Sequence, residues 1–528
     1  MLGGLSKNLY LIRVRLQALG VWSQRMLALV LGFVAVFAMP PVHQIYVLIP
    51  AIVGLLWLSA DAASKWRAFV IGWWFGAGYF GAGLYWVSFA LLVEAEKFAW
   101  LMPIAILGFA FGLGLFTALG SLMVRWLPGD LTAKALVLAS GWTLLEWLRG
   151  WVLTGLPWNP LGSVWAFHDA PLQGAWVVGV YGLSLFTALA AGSLGALADE
   201  RMSRFSKHVV VFGFGALVVL WIGGEIRLNG AHDKVVEDVR LRLVQPNISQ
   251  ANKWRPELRT RNMREQLNLS LAEPAAGEGK PTHVIWAETA APFFIANSPD
   301  WLKVVGAATP PEGLTILGAP RVLQDGKDKG PFKVANAMLA IDGEGRVQAA
   351  YDKFHLVPFG EYVPLSDWLP LDKITQGAGA FTPGTGPVSL RLPGLPPVSP
   401  LICYEIIFPH AIADFSDRPS WLLNLTNDAW YGLTAGPHQH FVTARLRAVE
   451  EGLPTVRVAF TGISGIIDGY GRVRSSHALG VKGFVDGDLP QPVQSLGLYT
   501  RFGNTIPVGL ALVVFLVGLG VQRYSQKS

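Results

Sequence analysis

Cysteine is almost missing from this chain. Cys403 is the only one in 528 residues, so no disulfide can form within it and a small disulfide-stapled scaffold is excluded. Charge is scarce too, at 15% of residues against 52% hydrophobic, with 21 Trp, which is too apolar for a soluble enzyme of this length. Metal-ligand spacing is lacking: His438-Gln439-His440 has no cysteine or carboxylate at ligand spacing beside it, and no cofactor motif is legible. No basic patch interleaved with aromatics argues for nucleic acid. The net charge of +6 therefore needs another explanation.

What the chain does have is long apolar runs. Uncharged stretches at residues 68–93, 98–124, 170–198 and 502–522 are long enough to cross a bilayer. Residues 26–60 carry no Asp, Glu, Lys or Arg and are broken by Pro40-Pro41, which predicts two short spans joined by a turn. Another apolar run follows the first almost at once, so that first run reads as a retained span rather than a cleaved signal. Residues 135–151 tolerate Glu146 and Arg149, whose spacing lets them pair on one helix face, and residues 208–224 complete a set of eight spans. Gly72, Gly76, Gly78, Gly81 and Gly83 give the third span the small-residue spacing that brings membrane helices close.

The basic residues orient this set. Lys7, Arg13, Arg15, Arg25, Lys65, Arg67, Arg125, Lys134, Arg201, Arg204, Lys207, Arg523 and Lys527 fall on one side, while the opposite short loops hold only Lys97 and Arg149. The positive-inside bias then places both termini in the cytoplasm and accounts for the net charge. Three regions are expected: residues 1–224 with seven spans, a water-exposed domain at 225–501 on the far face, and an eighth span with a cytoplasmic tail at 502–528. Within 225–501, β-type runs at 239–244, 283–286, 314–318, 337–341, 399–407, 421–424 and 455–459 alternate with helical patterns at 256–272 and 438–451. That alternation predicts an α/β layered fold.

Cys403 lies in the apolar run Leu401-Ile402-Cys403-Tyr404-Glu405-Ile406. A buried thiol is ordinarily a small hydrophobe, but a carboxylate two positions away would be costly there without a polar site to receive it. A free thiol outside the cytoplasm, where oxidation is favoured, points to a working nucleophile. Two other segments can serve it. Glu288 closes the strand-like run Val284-Ile285-Trp286-Ala287, and Lys353 sits in the aromatic loop Tyr351-Asp352-Lys353-Phe354-His355. Taken singly they read as a surface acid and a solvated cation. With Cys403 they supply the base and the positive charge that acyl transfer through a thiol requires. Outside the cytoplasm there is no ATP or acyl-CoA, so the acyl donor must already be activated, and phospholipid esters fit.

Glu288, Lys353 and Cys403, in that order and context, resemble the Glu-Lys-Cys triad of the nitrilase or carbon-nitrogen hydrolase superfamily. Its membrane-embedded branch, the apolipoprotein N-acyltransferases, is the best match. The resemblance rests on Lys353-Phe354-His355-Leu356-Val357-Pro358-Phe359-Gly360-Glu361-Tyr362-Val363-Pro364, on Cys403-Tyr404-Glu405 and on Asn424-Leu425-Thr426-Asn427-Asp428-Ala429-Trp430-Tyr431-Gly432. Thr154-Gly155-Leu156-Pro157-Trp158 and Gln245-Pro246-Asn247-Ile248 add to it, and Ala287 stands where the family usually shows proline.

The resemblance implies a polytopic α-helical bacterial inner-membrane protein of eight spans with an inserted αββα sandwich, needing no cofactor. It implies that Cys403 takes an acyl chain from a phospholipid, at the sn-1 position, and passes it to the α-amine of a diacylglyceryl-modified apolipoprotein. Glu288 would be the base, and Lys353 with the Tyr404 N–H would hold the oxyanion. Glu361 and Glu405 would orient Lys353 or its neighbours, and Trp254, Trp430 and Tyr431 are candidates for lining a substrate groove. A membrane-tethered amidase or nitrilase acting on a small C–N substrate, and a non-catalytic lipoprotein receptor, stay open at this point.

Overall fold

The computed structural model describes residues 2–199, 203–323, 333–364 and 380–525. The chain divides into two compact units, one of residues 1–89, 97–230 and 497–528, the other of residues 90–96 and 231–496.

Among the described residues, four helical segments are long and apolar enough to cross a membrane: Val21–Ala38, Tyr85–Trp126, Ala175–Ala198 and Arg204–Asn229. The remaining expected spans coincide with helices that are shorter, less apolar or more charged, at Ile45–Ala60, Lys65–Gly83, Leu131–Arg149 and Thr505–Ser525. Residues 68–93 do not form one helix. The helix ends at Gly83, whose carbonyl accepts Trp86 Nε1–H at 3.0 Å and Asn159 Nδ2–H at 3.2 Å, and Tyr85–Glu94 continues as a 3-10 helix. Side-chain donors thus take over the carbonyl at which the helix stops.

The glycine spacing has a packing cause. A Cβ on Gly72 or Gly76 would collide with Ser121 or Thr117, and one on Gly78 with the Leu29 carbonyl. Helix Lys65–Gly83 therefore lies backbone to backbone against both Met102–Trp126 and Val21–Ala35. Glu146 and Arg149 are both buried, and both serve the segment that follows their helix. Glu146 accepts Leu161 N–H at 2.7 Å and Trp142 Nε1–H at 2.8 Å, while Arg149 donates to the carbonyls of Leu156 and Trp158 at 2.6 and 2.8 Å. Arg149 thus satisfies carbonyls of the irregular turn at Leu156-Pro157-Trp158, as apolar surroundings require.

Among its described residues, the second unit has eleven strands: β1 (Val235–Gln245), β2 (His283–Trp286), β3 (Thr315–Leu323), β4 (Lys333–Ile341), β5 (Val347–Asp352), β6 (Val398–Ile402), β7 (Trp421–Thr426), β8 (Thr455–Ala459), β9 (Ser464–Ile467), β10 (Val473–His477) and β11 (Gly483–Pro490). They form a six-stranded sheet in the order β11-β1-β2-β3-β4-β5 and a five-stranded one in the order β10-β9-β8-β7-β6. Pairs β1–β2, β2–β3, β6–β7 and β7–β8 are parallel, and the others antiparallel. Strands buried on both faces are mainly apolar: every residue of β2, β6, β7 and β8 is buried, including the polar Asn424 and Arg457.

Leu243, Ile285, Ile316 and Leu339 from one sheet and Leu423, Leu425, Val456 and Val458 from the other share one core. Helices Arg259–Leu271 and Pro299–Ala307 pack on the first sheet and Ala435–Glu451 on the second. The layers thus run helix, sheet, sheet, helix. The carboxyl ends of parallel strands are where such sheets place ligand sites, and Glu288, Cys403 and Asp428 stand one or two residues past those ends of β2, β6 and β7. Strand β5, two antiparallel steps from β3, ends on the same edge with Lys353.

Candidate active site

The run at residues 399–407, expected as one strand, stops at Ile402. Cys403 takes a positive φ of 53° and opens a 3-10 helix over Cys403–Ile407. A non-glycine residue in that region is strained unless its surroundings fix it. Glu405 does much of the fixing. Its Oε2 accepts the Ile402 N–H at 2.6 Å and the Tyr351 hydroxyl at 3.0 Å, and its Oε1 accepts the N–H groups of Phe354 and His355 at 2.7 and 3.1 Å. One fully buried carboxylate thus clamps the cysteine turn to the segment carrying Lys353. Burial pushes its pKa up to about 7, against the pull of these donors and of Lys353.

Glu288 sits in a similar turn, with Thr289 at φ 48°. Gly318 allows it, since a Cβ there would meet Thr289 N and Glu288 Cα. Ala287 contributes its carbonyl, accepting Gly318 N–H at 3.2 Å, a bond that a proline at this position would make equally well.

The charges then converge. Lys353 Nζ lies 2.8 Å from Glu361 Oε2 and 3.8 Å from Glu288 Oε1. Asn336 Nδ2 donates to Glu288 Oε1 at 2.8 Å and to Glu361 Oε1 at 2.9 Å, while the Asn336 carbonyl takes the Lys353 N–H at 2.8 Å. Glu361 Oε2 also accepts Val357 N–H at 2.8 Å, which folds the aromatic loop onto the lysine. Burial works to lower the Lys353 pKa, but Glu361, Glu288 and Cys403 outweigh it and hold the ammonium above its usual range.

The Cys403 thiol is pushed up to about 12, first by burial and then by Glu288, with Lys353 and Thr426 opposing. It rests as S–H. A thiol in that state becomes a nucleophile only as its proton leaves, so attack has to be coupled to a base.

Tyr431 belongs to the same constellation, its hydroxyl held well above the usual range by burial and by the charges of Cys403, Asp428 and Glu288. The Tyr404 ring packs on Phe408 and His355, with centroids 5.1 and 5.6 Å away. Trp254 and Trp430 are half-buried and flank two residues of the site, Lys253 and Tyr431.

Lys253 and Asn336 are the members that sequence reasoning missed. Asn336 left a trace as the one polar side chain in the apolar run Val334-Ala335-Asn336-Ala337-Met338. Lys253 left none. Its side chain is buried, Nζ donates to the Glu288 carbonyl at 2.9 Å and lies 4.0 Å from the Phe460 ring centre. Burial lowers its pKa to about 7, with Glu288 and Cys403 opposing.

Linkage fixes what this does to stability. A base with a lowered folded pKa binds fewer protons than the unfolded chain between about pH 7 and pH 10.5, so stability rises with pH across that window. Holding the charge below pH 7 costs on the order of 5 kcal/mol at 1.36 kcal/mol per pKa unit. Lys253→Met is therefore expected to raise the melting temperature at pH 6, with the gain shrinking toward pH 10, and to slow the chemistry by releasing the Glu288 turn. A gain independent of pH, read by thermal unfolding in detergent, would contradict this.

A buried thiol on a strained turn, a carboxylate and a lysine at one edge of a two-sheet α/β sandwich define a domain of the carbon-nitrogen hydrolase class. Residues 307–487 match the family model described as Carbon-nitrogen hydrolase. Residues 31–193 match another, described as Apolipoprotein N-acyltransferase N-terminal domain. The chain is 39% identical to the apolipoprotein N-acyltransferase of Rhodopseudomonas palustris over 511 residues, covering 94% of this chain and 95% of that one. It is 37% identical to that of Bradyrhizobium diazoefficiens (95% of each chain) and 35% identical to that of Brucella melitensis (96% and 97%). The chain belongs to the apolipoprotein N-acyltransferase family.

Proposed function

We propose that the protein is a bacterial inner-membrane N-acyltransferase. It moves an acyl chain from a phospholipid, at the sn-1 position, to the α-amine of a diacylglyceryl-cysteine apolipoprotein through a thioester on Cys403. Family membership over nearly the whole chain supports the overall activity. The observation that supports the mechanism is the buried pairing of Lys353 with Glu288 and Glu361, with Glu288 and Lys353 both acting electrostatically on the strained Cys403 thiol.

Glu288 accepts the Cys403 proton as Sγ attacks the ester carbonyl. The oxyanion is held by Lys353 Nζ and the Tyr404 N–H. Collapse breaks the C–O bond, Glu288 returns the proton to the departing lysophospholipid, and the thioester remains. The acceptor amine then attacks, Glu288 takes its proton and passes it to the departing sulfur, and the C–S bond breaks to leave an amide and the free thiol. Ester, thioester and amide end in the most stable acyl derivative, so no external energy source is needed. Glu361 and Glu405 set the position of Lys353, the first by direct contact and the second through Phe354 and His355. Trp254, Trp430 and Tyr431 line the approach to the thiol.

The expected result with acceptor is specific. After loading with phospholipid, a diacylglyceryl-modified peptide with a free α-amine should discharge the enzyme as amide, an N-blocked peptide should not, and steady-state kinetics should be ping-pong. Free fatty acid as the main product despite acceptor, or ammonia released from small amides at a comparable rate, would favour the hydrolase reading.

The distribution of lysine and arginine further supports eight spans, with both termini cytoplasmic and the second unit extracytoplasmic. A periplasm-dependent reporter inserted at the exposed Gly343 should be active and one at the C-terminus inactive. The reverse pattern would overturn the topology.

A further inference from the structure

Beneath the cysteine turn lies a polar chain that the mechanism above does not use. Arg457 on β8 donates through its two terminal nitrogens to Asp428 Oδ2 at 2.7 Å and to Asn424 Oδ1 at 2.6 Å. Asp428 Oδ1 faces His440 Nδ1 at 3.0 Å, and His440 Nε2 faces the Cys403 carbonyl oxygen at 3.2 Å. Asn424 Nδ2 donates to that same oxygen at 3.3 Å. All four side chains are at most 1% exposed. Gly462 leaves room for Asp428, because a Cβ there would strike its Oδ2.

The chemistry of this chain is constrained. Burial would raise the Asp428 pKa, but Arg457 and His440 overcome it and hold the carboxyl below its usual range, so Asp428 is an ionised acceptor. A peptide carbonyl also only accepts. With an acceptor at each ring nitrogen, His440 satisfies both only as the doubly protonated imidazolium. Burial and Arg457 work against that charge and lower its pKa, yet a neutral ring would set a lone pair against one of the two oxygens among fully buried groups.

We infer that His440, held by Asp428, which Arg457 in turn anchors, is a positioning residue that tunes the oxyanion donor of Tyr404 through the Cys403–Tyr404 peptide group. A donor on a carbonyl polarises its peptide unit and strengthens the N–H at the other end, as in any hydrogen-bonded chain. The Cys403 carbonyl and the Tyr404 N–H belong to one such unit. The two side-chain donors also fix the orientation of that plane at the strained Cys403. This rests on the proposed acyl transfer, in which the Tyr404 N–H meets the developing oxyanion.

The single cysteine makes the test unusually direct. Protein labelled with carbonyl-13C cysteine and ring-15N histidine carries the carbon label at Cys403 alone, and distance-selective solid-state NMR on the wild type should find one protonated ring nitrogen beside it. An unprotonated nitrogen at that distance overturns the inference with no variant needed. The second arm acylates Cys403 from a phospholipid whose ester carbonyl is 13C-labelled and records the thioester band by infrared difference. His440→Gln, and Asp428→Asn, should move that band to higher frequency and slow acylation roughly tenfold, a fraction of the 10²–10³ of a lost oxyanion donor, with KM little changed. A band that stays in place in folded variants also overturns the inference. Failure of the wild type to acylate at all would instead remove the acyl-transfer reading on which it rests.

Discussion

Cys403→Ala is expected to reduce acyl transfer to background while the protein remains folded and inserted. The substitution removes a thiol that is 6% exposed and replaces it with a slightly smaller apolar group, a change of about 1 kcal/mol in a core that is otherwise intact. No neighbouring side chain can replace it, since the chain holds no other cysteine. Glu288→Gln should be nearly as severe for a different reason. Asn336 Nδ2 can still donate to the amide oxygen, so the cluster survives, but the thiol, still raised by burial, has lost the group that takes its proton. Transfer measured in purified membranes, with expression and melting temperature as controls, checks both. Activity within tenfold of wild type in either variant would end the assignment.

Lys353→Met should lower the rate by on the order of 10²–10³, the cost of removing one oxyanion donor from a water-excluded site. It has a second consequence. Glu288 and Glu361 share Asn336 as a donor and Lys353 as the intervening cation, so loss of the lysine leaves two buried carboxylates facing each other. Breaking a buried ion pair on one side costs about 3–5 kcal/mol, and the melting temperature should fall with the activity. The two effects can be separated. Adding Glu361→Gln to Lys353→Met removes the surplus negative charge and should restore much of the stability without restoring transfer. Recovery of activity in the double variant would show that Lys353 serves the fold and not the oxyanion.

Much of this was legible along the chain, for identifiable reasons. The lone thiol stood out because a carboxylate in an apolar strand is expensive, and Glu405 is buried with four donors around it. Lys353 and Glu361 were picked out through the family resemblance of the run from Lys353 to Pro364; in the structure Glu361 reaches back four residues to Val357 N–H. The parallel strands were legible as apolar runs, since burial on both faces leaves no polar side to mask.

What escaped depends on distance along the chain. The strand carrying Cys403 was read through to 407 because Leu401 to Phe408 is uniformly β-like apart from Glu405, and the positive φ at Cys403 comes from bonds made by residues as far away as Tyr351 and His440. Lys253 precedes Glu288 by 35 positions and touches its carbonyl, a relation that no local pattern encodes. His438-Gln439-His440 lacks metal-ligand spacing, and nothing local shows that His440 pairs with Asp428 and the Cys403 carbonyl. In the apolar unit, residues 68–93 read as one span because hydropathy alone cannot see the donors from Trp86 and Asn159 that end the helix at Gly83.

Incubating the purified protein with phospholipid alone, followed by intact-mass and peptide mass spectrometry, tests the central claim most directly. Donor and acceptor use the same sulfur in turn, so the first half-reaction needs no acceptor. The expected result is one acyl chain on Cys403, labile to neutral hydroxylamine as a thioester, absent from Cys403→Ala, and accompanied by an equal amount of lysophospholipid. An unmodified Cys403 in protein shown to be folded, or acylation that appears only when the acceptor peptide is present, would contradict the account.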